Sequence, residues 1–257
     1  MIYVFSGGCI MKKRTVALCL AVVLVFSVFC GCQNAKANKQ LSVIVDNINT
    51  WLMQVEKGTT IYSYAVTDMD HNGRLEVIAS QNYGAAASST TESVFYEISE
   101  DEKSLVKCDY TYEGESQADI MIESADCYED RETGNFYYIF TDDSGNGFRE
   151  IYNTKVAVCF ADGKVTEQRL ATKAAIIEGE NEEPTITYTD ADGNAITEDE
   201  YKYIADEYFK DCKKTTASFG WKGFTYANHS QMTTYGDSKL LEVLKDSYNK
   251  FDGKDKD

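Results

Sequence analysis

Three stretches of the chain carry apolar residues at three- and four-residue steps, the spacing that places side chains on one face of a helix. The first begins near residue 41, and Gly58 would suit its C-terminal end. A middle helix is predicted from residue 198, because Thr197 and Glu200 have the spacing of a capping box. Asp237 is placed to cap the last helix. The apolar faces are Leu41, Ile44, Val45, Ile48, Trp51, Leu52 and Val55 in the first helix, Tyr201, Ile204, Tyr208 and Cys212 in the middle one, and Leu240, Leu241, Leu244, Tyr248 and Phe251 in the last.

Between the first and middle helices the pattern changes to alternation, with many β-branched and aromatic residues. Asp162-Gly163 predicts a tight hairpin turn, and Asp192-Gly193 predicts another. The fold class is therefore α+β, with an N-terminal helix, a meandering antiparallel β-sheet and C-terminal helices in a single domain over residues 41–257. The predicted strands are 61–67, 75–80, 92–98, 104–111, 135–141, 148–160 and 164–177.

The first 31 residues are typical of an export signal. Translation is expected to start at Met11, and a basic segment (12–14) then precedes an apolar run (16–29) that is shorter than the about 20 residues of a membrane span. The run ends in FCGC, residues 29–32. A small residue directly before Cys32 resembles the lipobox of bacterial lipoproteins, which implies cleavage there and lipid on the new terminal cysteine. An ordinary signal peptide cut nearby, or a retained N-terminal anchor, is the alternative reading.

Lipid on Cys32 would place the protein on the outer face of the cell membrane, joined to its anchor by a linker over residues 32–40. The membrane would then be a partner through the N-terminal lipid alone. Every part of the chain after Cys32 is expected to lie outside the cytoplasm.

The segment DMDHNGRLE, residues 68–76, places oxygen-bearing side chains at alternate positions between two predicted strands. Hard divalent cations take six to eight oxygen ligands, and EF-hand loops begin with this order of residues. An EF-hand also needs Glu at position 12, which is Ala79 here, and a helix on each side. The pattern instead resembles the strand–loop–strand calcium loops of integrin-type propeller repeats (DxDxDGxxD). The ligands would be the side chains of Asp68, Asp70, Asn72 and Glu76 and the carbonyl of Arg74.

The alternative for this segment is a plain hairpin, since Asn72-Gly73 is a strong turn pattern by itself. Three carboxylates crowded in one turn repel each other unless a cation is present, which favours a structural Ca²⁺ site. Gly73 would permit the sharp turn in either case. Met69 and His71 are expected to point outward.

The same positions recur at 142–150, within FTDDSGNGFREIY. The strands that precede the two segments also match in kind, which suggests two related strand–loop–strand units, about 61–111 and 135–177. Ser144 replaces a carboxylate, so this degenerate second loop should bind calcium poorly, and a simple glycine-rich turn is the favoured interpretation. Its positions are Asp142, Ser144, Asn146, Gly147, Phe148 and Glu150.

The lipobox, the first helix, the DxDxNGxxE loop and the Tyr-Glu-Ile strand that follows together resemble a group of surface lipoproteins of Gram-positive anaerobes. The resemblance covers roughly residues 11–110. It implies the location and the ion, and it implies no reaction.

Four cysteines remain after Cys32, and their spacing leaves their chemistry open. Two disulfides with three connectivities are one interpretation for an exported chain, and four buried thiols that behave as small apolar residues are the other. No pair has CxxC spacing, so a zinc site is not predicted. The residues are Cys108, Cys127, Cys159 and Cys212.

The charge of the chain excludes nucleic acid as a partner. The formal net charge is −17, and removal of the three basic residues before Cys32 leaves 22 basic and 42 acidic residues, a net charge of −20. Such a polyanion is repelled by phosphate backbones and tolerates divalent cations.

No catalytic motif is present around either histidine, and no nucleophile elbow or phosphate loop occurs. The prediction is therefore a non-catalytic binding module with an unknown surface ligand, a glycan or a protein, and no catalytic residue is assigned. Candidate contact segments are GAAASSTTES (84–93) and the aromatic SFGWKGFTYANH (218–229). The alternative is an extracellular hydrolase that uses a glycosidase-like carboxylate pair.

Overall fold

The computed structural model describes residues 35–52, 62–85, 88–114, 116–146, 149–179, 183–223 and 237–251. The predicted signal segment, Cys32, Gly58 and Phe148 lie outside the described residues. The chain divides into a unit of residues 1–39, of which only the helical residues 35–39 are described, and a unit of residues 40–257.

Four helices occur in the described residues. Helical backbone covers residues 35–46 (α1), so it begins within the stretch predicted as a linker. The others are α2 (Ile48–Trp51), α3 (Glu198–Tyr208) and α4 (Asp237–Phe251). The predicted capping box is confirmed, since the Thr197 hydroxyl accepts from the Glu200 N–H and the Glu200 carboxylate accepts from the Thr197 N–H. Most of the predicted face of the first helix is also buried, namely Leu41, Ile44, Val45, Trp51 and Leu52.

Twelve strands occur in the described residues, and the α+β fold class is confirmed. The strands at 124–129, 185–190, 213–218 and 222–223 were not among those predicted from the sequence. The strands are β1 (Ser63–Thr67), β2 (Glu76–Ala85), β3 (Ser88–Ile98), β4 (Leu105–Lys107), β5 (Asp109–Thr111), β6 (Ser124–Glu129), β7 (Phe136–Asn146), β8 (Glu150–Ala161), β9 (Lys164–Ile176), β10 (Thr185–Asp190), β11 (Lys213–Ser218) and β12 (Lys222–Gly223).

The predicted meander is divided between two sheets. The smaller sheet has the order β12-β1-β2-β3-β4, and the larger has the order β10-β9-β8-β7-β6-β11. These neighbours pair antiparallel, and β5 adds to the larger sheet by pairing parallel with β9. Of the two segments proposed as related units, 135–177 (β7 to β9) lies in the larger sheet, whereas 61–111 supplies β1 to β4 of the smaller sheet and β5 of the larger one.

The main core lies between the two sheets. Ile78 and Phe95 of the smaller sheet share one buried cluster with Phe140, Val158 and Phe160 of the larger sheet. The opposite face of the larger sheet packs on α3 through a second cluster that contains Tyr128, Ala157, Leu170, Ala205 and Phe209.

The aromatic segment from residue 218 supplies core rather than a stacking surface, where the structure describes it. Phe219 is buried in the main cluster, and Trp221 packs against that cluster while its indole N–H donates to the Ile122 carbonyl at 3.0 Å. The other candidate contact segment is paired strand for most of its length, since β2 and β3 remain in register from Glu76↔Glu97 to Ala85↔Ser88.

All four cysteines after Cys32 are free thiols. Burial raises the pKa of the Cys108 thiol to about 12 and that of Cys159 to about 11. Cys108, Cys127 and Cys159 are buried, and Cys108 and Cys127 lie in the main apolar cluster. These three thus match the interpretation as small apolar residues.

Candidate metal centre

The DMDHNGRLE segment forms the connection between β1 and β2. Thr67 and Glu76 are antiparallel partners at the ends of these strands, so residues 68–75 form an eight-residue loop with a strand on each side, as predicted. Gly73 has φ +77°, a left-handed conformation that glycine adopts without strain. His71 also has a positive φ, +53°. The turn required by the sequence pattern is therefore present.

Three carboxylates of this loop converge. One oxygen each from Asp68, Asp70 and Glu76 lies within 4.8 Å of the others, and the group could hold a metal ion. Two oxygens bound to one calcium ion at about 2.3–2.6 Å are at most about 5.2 Å apart. The spacing of the three carboxylates therefore fits a shared cation.

Glu76 is the buried member of the group, with no exposed surface. Its Oε2 accepts hydrogen bonds from the Thr67 hydroxyl at 2.8 Å and from the Met69 N–H at 2.9 Å. Its Oε1 is also buried, and no group in the described part of the chain donates to it. A buried acceptor without a partner costs about 1–3 kcal/mol, and more when it is charged.

The electrostatics of the loop disfavour three negative charges in the absence of a cation. Burial, followed by the charge of Asp68, raises the pKa of Glu76 well above its ordinary value. Burial, followed by the charges of Glu97 and Asp68, raises the pKa of Asp70 to about 6. A bound cation would reverse both effects by stabilising the ionised carboxylates.

The Asn72 side chain is held by hydrogen bonds within the loop and to Glu97, and its role as a ligand stays a prediction. Its Oδ1 accepts from the Arg74 N–H at 2.6 Å, and its Nδ2 donates to Asp70 Oδ2 and to Glu97 Oε1, each at 2.8 Å. Asn72 thus shapes the loop and orients Asp70. The Arg74 carbonyl as a ligand stays a prediction.

The expectation that Met69 points outward is wrong. Met69 is 1% exposed and belongs to the main core, and its carbonyl accepts from the Tyr138 hydroxyl at 2.7 Å. Simple alternation fails here because the loop is not a strand, so the direction of Met69 depends on the larger sheet behind it. His71 is exposed as expected, and its ring lies 4.2 Å from that of Phe136, centroid to centroid.

Two supports of the loop come from distant parts of the chain and were missed by sequence reasoning. Gln40, buried in α1, donates from Nε2 to the Gly73 carbonyl at 2.8 Å and accepts from the Leu75 N–H at 2.7 Å. Glu97 of β3 holds the guanidinium of Arg74 at 2.8 Å. Gln40 lies in the stretch predicted as a linker, and nothing local indicates its partner.

The second segment has a different geometry. Asp142, Ser144 and Asn146 lie in β7 and pair with Thr154, Tyr152 and Glu150 of β8, respectively. Alternate residues of an extended strand are separated by about 6.6 Å, so these positions do not gather around one point. The two candidate loops therefore differ, although both connect antiparallel strands.

Comparison of the chain with protein-family models, with curated proteins and with solved structures gave no match. None of the helices in the described residues has the length and apolar character that a membrane crossing requires. The site is therefore interpreted from its own chemistry.

Proposed function

We propose that the 68–76 loop binds one structural Ca²⁺ ion in a lipid-anchored binding module on the outer face of the cell membrane. The observation that carries the calcium site is the buried Glu76 Oε1, which lacks a donor among the described residues and belongs to a carboxylate whose group includes Asp68 and Asp70. A cation shared by the three carboxylates would remove both the unpaired acceptor and the mutual repulsion.

The ligand atoms favour calcium over transition metals. All three converging groups are carboxylates, and oxygen ligands suit hard cations, whereas zinc sites use histidine and cysteine. The His71 ring packs toward Phe136. Calcium also accepts irregular geometry with water completing its shell, whereas magnesium demands a near-ideal octahedron.

The contacts around the loop support a structural role for the ion. The loop is held by Gln40 from α1, by Glu97 from β3 and by Tyr138 from β7. An ion that fixes the loop would therefore stabilise the region where the first helix and both sheets meet.

Strand geometry argues against Asp142 and Glu150 as the carboxylate pair of the alternative hydrolase. Asp142 and Glu150 line the same pocket, but Asp142 pairs with Thr154, which is four residues from Glu150 along β8. Four strand residues span about 13 Å, whereas paired glycosidase carboxylates lie roughly 5–9.5 Å apart.

Calcium is expected to raise the melting temperature of the mature chain after chelator treatment. When free calcium is about 100 times Kd, the gain in unfolding free energy is about 2.7 kcal/mol, or about 5–10 °C for a domain of this size. Differential scanning calorimetry in chelator, in calcium and in magnesium checks it. An equal response to magnesium would contradict the assignment of calcium, and no response to either ion would remove the site.

A lower pH is expected to stabilise the metal-free protein and to weaken its binding of calcium. The pKa of Asp70 is raised from 3.8 to about 6, so the metal-free folded state holds this proton more tightly than the unfolded chain does. The free energy of unfolding of the metal-free protein should rise as pH falls from about 6 towards 4. Above about pH 6, the destabilisation caused by the ionised Asp70 is fully present. Calcium needs deprotonated ligands, so its affinity should fall over the same window. Calorimetry at about pH 7.5 and about pH 5.5 distinguishes the two trends.

Replacement of Cys32 by Ser is expected to abolish lipid attachment and to release the protein from the membrane. Cleavage before Cys32 would make it the terminal residue whose thiol accepts the lipid, and two acyl chains anchor far more firmly than one. Metabolic labelling with an alkyne fatty acid, followed by membrane fractionation, checks it. Cys30→Ser is the matched control and should keep the label. Labelling that survives Cys32→Ser would contradict the anchor.

A further inference from the structure

The inner face of the larger sheet changes from apolar to polar along β7 and β8. On β7, Phe140 lies in the core and is followed on the same face by Asp142 and Ser144. On β8, Val156 lies in the core, and Thr154 and Tyr152 precede it on that face. The strands thus extend beyond the core, and the polar part of their inner face lines a pocket of about 420 Å³. Pockets for small molecules have volumes of about 300–1,000 Å³.

A β-bulge turns an arginine into this pocket. The β8–β9 register changes from Lys155↔Ala171 to Val156↔Arg169, so Leu170 is the extra residue. Leu170 packs on the α3 side of the sheet, in the second buried cluster. Arg169 is therefore on the face of Val156 and lines the pocket. Bulges redirect single side chains in this way.

The pocket holds charges of both signs that are not paired with each other. In the part of the chain that the structure describes, no carboxylate oxygen lies within 4.0 Å of the Arg169 guanidinium. Asp142 is 8% exposed, and its Oδ1 accepts from the Ser116 hydroxyl at 2.8 Å. No group among the described residues donates to Asp142 Oδ2 or to the Glu150 carboxylate. Arg169 therefore forms no ion pair within the described residues, although it is close enough to Asp142 for their charges to interact, in a chain with a net charge of −17.

We propose that this pocket binds a small zwitterion, a free α-amino acid, whose carboxylate is held by Arg169 and whose ammonium group is held by Asp142. Guanidinium groups bind carboxylates with two parallel hydrogen bonds, and Asp142 Oδ2, which the Ser116 hydroxyl does not reach, can accept from an ammonium donor. The hydroxyls of Ser144 and Tyr152 are further hydrogen-bonding groups in the lining. This inference rests on the proposed binding function and names its ligand class, but it does not depend on the calcium site.

Isothermal titration calorimetry of the full mature chain tests this ligand class. Glycine, L-alanine, L-glutamate and L-lysine are titrated separately, with acetate and ethylamine as the two halves of a zwitterion and glucose as a neutral probe. At least one amino acid is expected to bind at micromolar to millimolar concentration, and each half-ligand at least about tenfold more weakly. Absence of amino-acid binding, or binding of glucose alone, would overturn the zwitterion.

Paired variants locate the binding. Arg169→Gln and Asp142→Asn are each expected to weaken amino-acid binding at least about tenfold, the usual loss for a hydrogen bond to a charged group. Arg149→Gln and Asp143→Asn make the same changes at exposed residues outside the pocket lining and should have no effect. Unchanged binding by Arg169→Gln in folded protein would overturn the assignment.

The two proposals fail in distinguishable ways. Failure of the calcium site appears as a melting temperature that does not respond to calcium, whatever the pocket binds. Failure of the pocket appears as absent binding heat in protein whose circular dichroism shows it to be folded, with or without calcium. Binding of a glycan or a protein elsewhere, with no amino acid bound, would overturn the zwitterion and leave the binding function standing.

Discussion

Replacement of Glu76 by Gln is expected to abolish the calcium-dependent rise in melting temperature and also to make the metal-free protein more stable. The two effects have one cause, which is the orphaned Oε1 of this buried carboxylate. Gln has the same shape, and its carbonyl oxygen can still accept from the Thr67 hydroxyl and the Met69 N–H. Its amide group would take the place of Oε1 and donate toward Asp68 and Asp70.

The expected gain in the metal-free form follows from the cost of a buried unsatisfied group, about 1–3 kcal/mol. For a domain of this length the melting temperature should rise by about 2–12 °C. Calcium should then add nothing, because the variant lacks one of three negative ligands and carries a donor where the ion would bind.

Melting curves of the parent and of Glu76→Gln, in chelator and in calcium, measure both expected changes, namely the higher melting temperature in chelator and the loss of the calcium response. Glu92→Gln is the matched control, since Glu92 pairs with Tyr62 and Gln81 in the same sheet and lies outside the carboxylate group. That control should keep the calcium response. If Glu76→Gln is less stable than the parent in chelator, Oε1 has a hydrogen-bond partner. If the variant keeps the calcium-dependent rise in melting temperature, the ion binds at a site that does not include Glu76.

Replacement of Gly220 by Ala is expected to destabilise the protein severely. Gly220 lies between β11 and β12, and a Cβ there would meet the Ser247 carbonyl oxygen at 2.3 Å and the Ser247 Cα at 2.6 Å. These are backbone atoms of α4, so no side-chain rotation can relieve the overlap. The Ser247 hydroxyl also accepts from the buried Val66 N–H at 2.9 Å, which fastens α4 to β1. Displacement of α4 would therefore break this contact.

The loss should be at least about 3 kcal/mol, the upper end for overpacked cores, or about 6–12 °C in melting temperature. Chemical denaturation of both proteins measures it. Gly134→Ala separates steric overlap from backbone strain, because Gly134 has φ +77° and nothing lies within 4 Å of a Cβ there. The free energy of unfolding of that control should fall by only about 1–2 kcal/mol, the cost of placing alanine in the left-handed conformation. Equal losses in the two variants would contradict the close approach of Gly220 to α4.

Features that depend on residues close in sequence were predictable. The capping box requires only Thr197 and Glu200, three residues apart, and the hairpin at Asp162-Gly163 requires only two residues with positive φ. The loop of the metal centre belongs to the same class, because Gly73 provides the turn and strands on both sides follow from alternation. Short-range sterics and hydrogen bonds decide such features whatever the rest of the chain does.

Features that depend on distant strand partners were not predictable. β11 reads KKTTAS, a polar segment without a helical or alternating apolar pattern, and it is a strand because it pairs with β6, with Lys213 opposite Glu129 and bonded to it at 3.0 Å. The buried position of Met69 depends on Tyr138, which is 69 residues away. Periodicity carries no information about which segments become neighbours, so these contacts cannot be read from one stretch of sequence.

The sequence by itself determined the carboxylate-rich turn, the flanking strands, the capped helix and the α+β class, because each depends on residues within a few positions of one another. Only the tertiary structure decided that Glu76 is buried with one oxygen orphaned, that Gln40 and Tyr138 hold the loop, and that a bulge at Leu170 aims Arg169 into a pocket. Burial and strand register are properties of segments brought together from across the chain, and no local pattern encodes them.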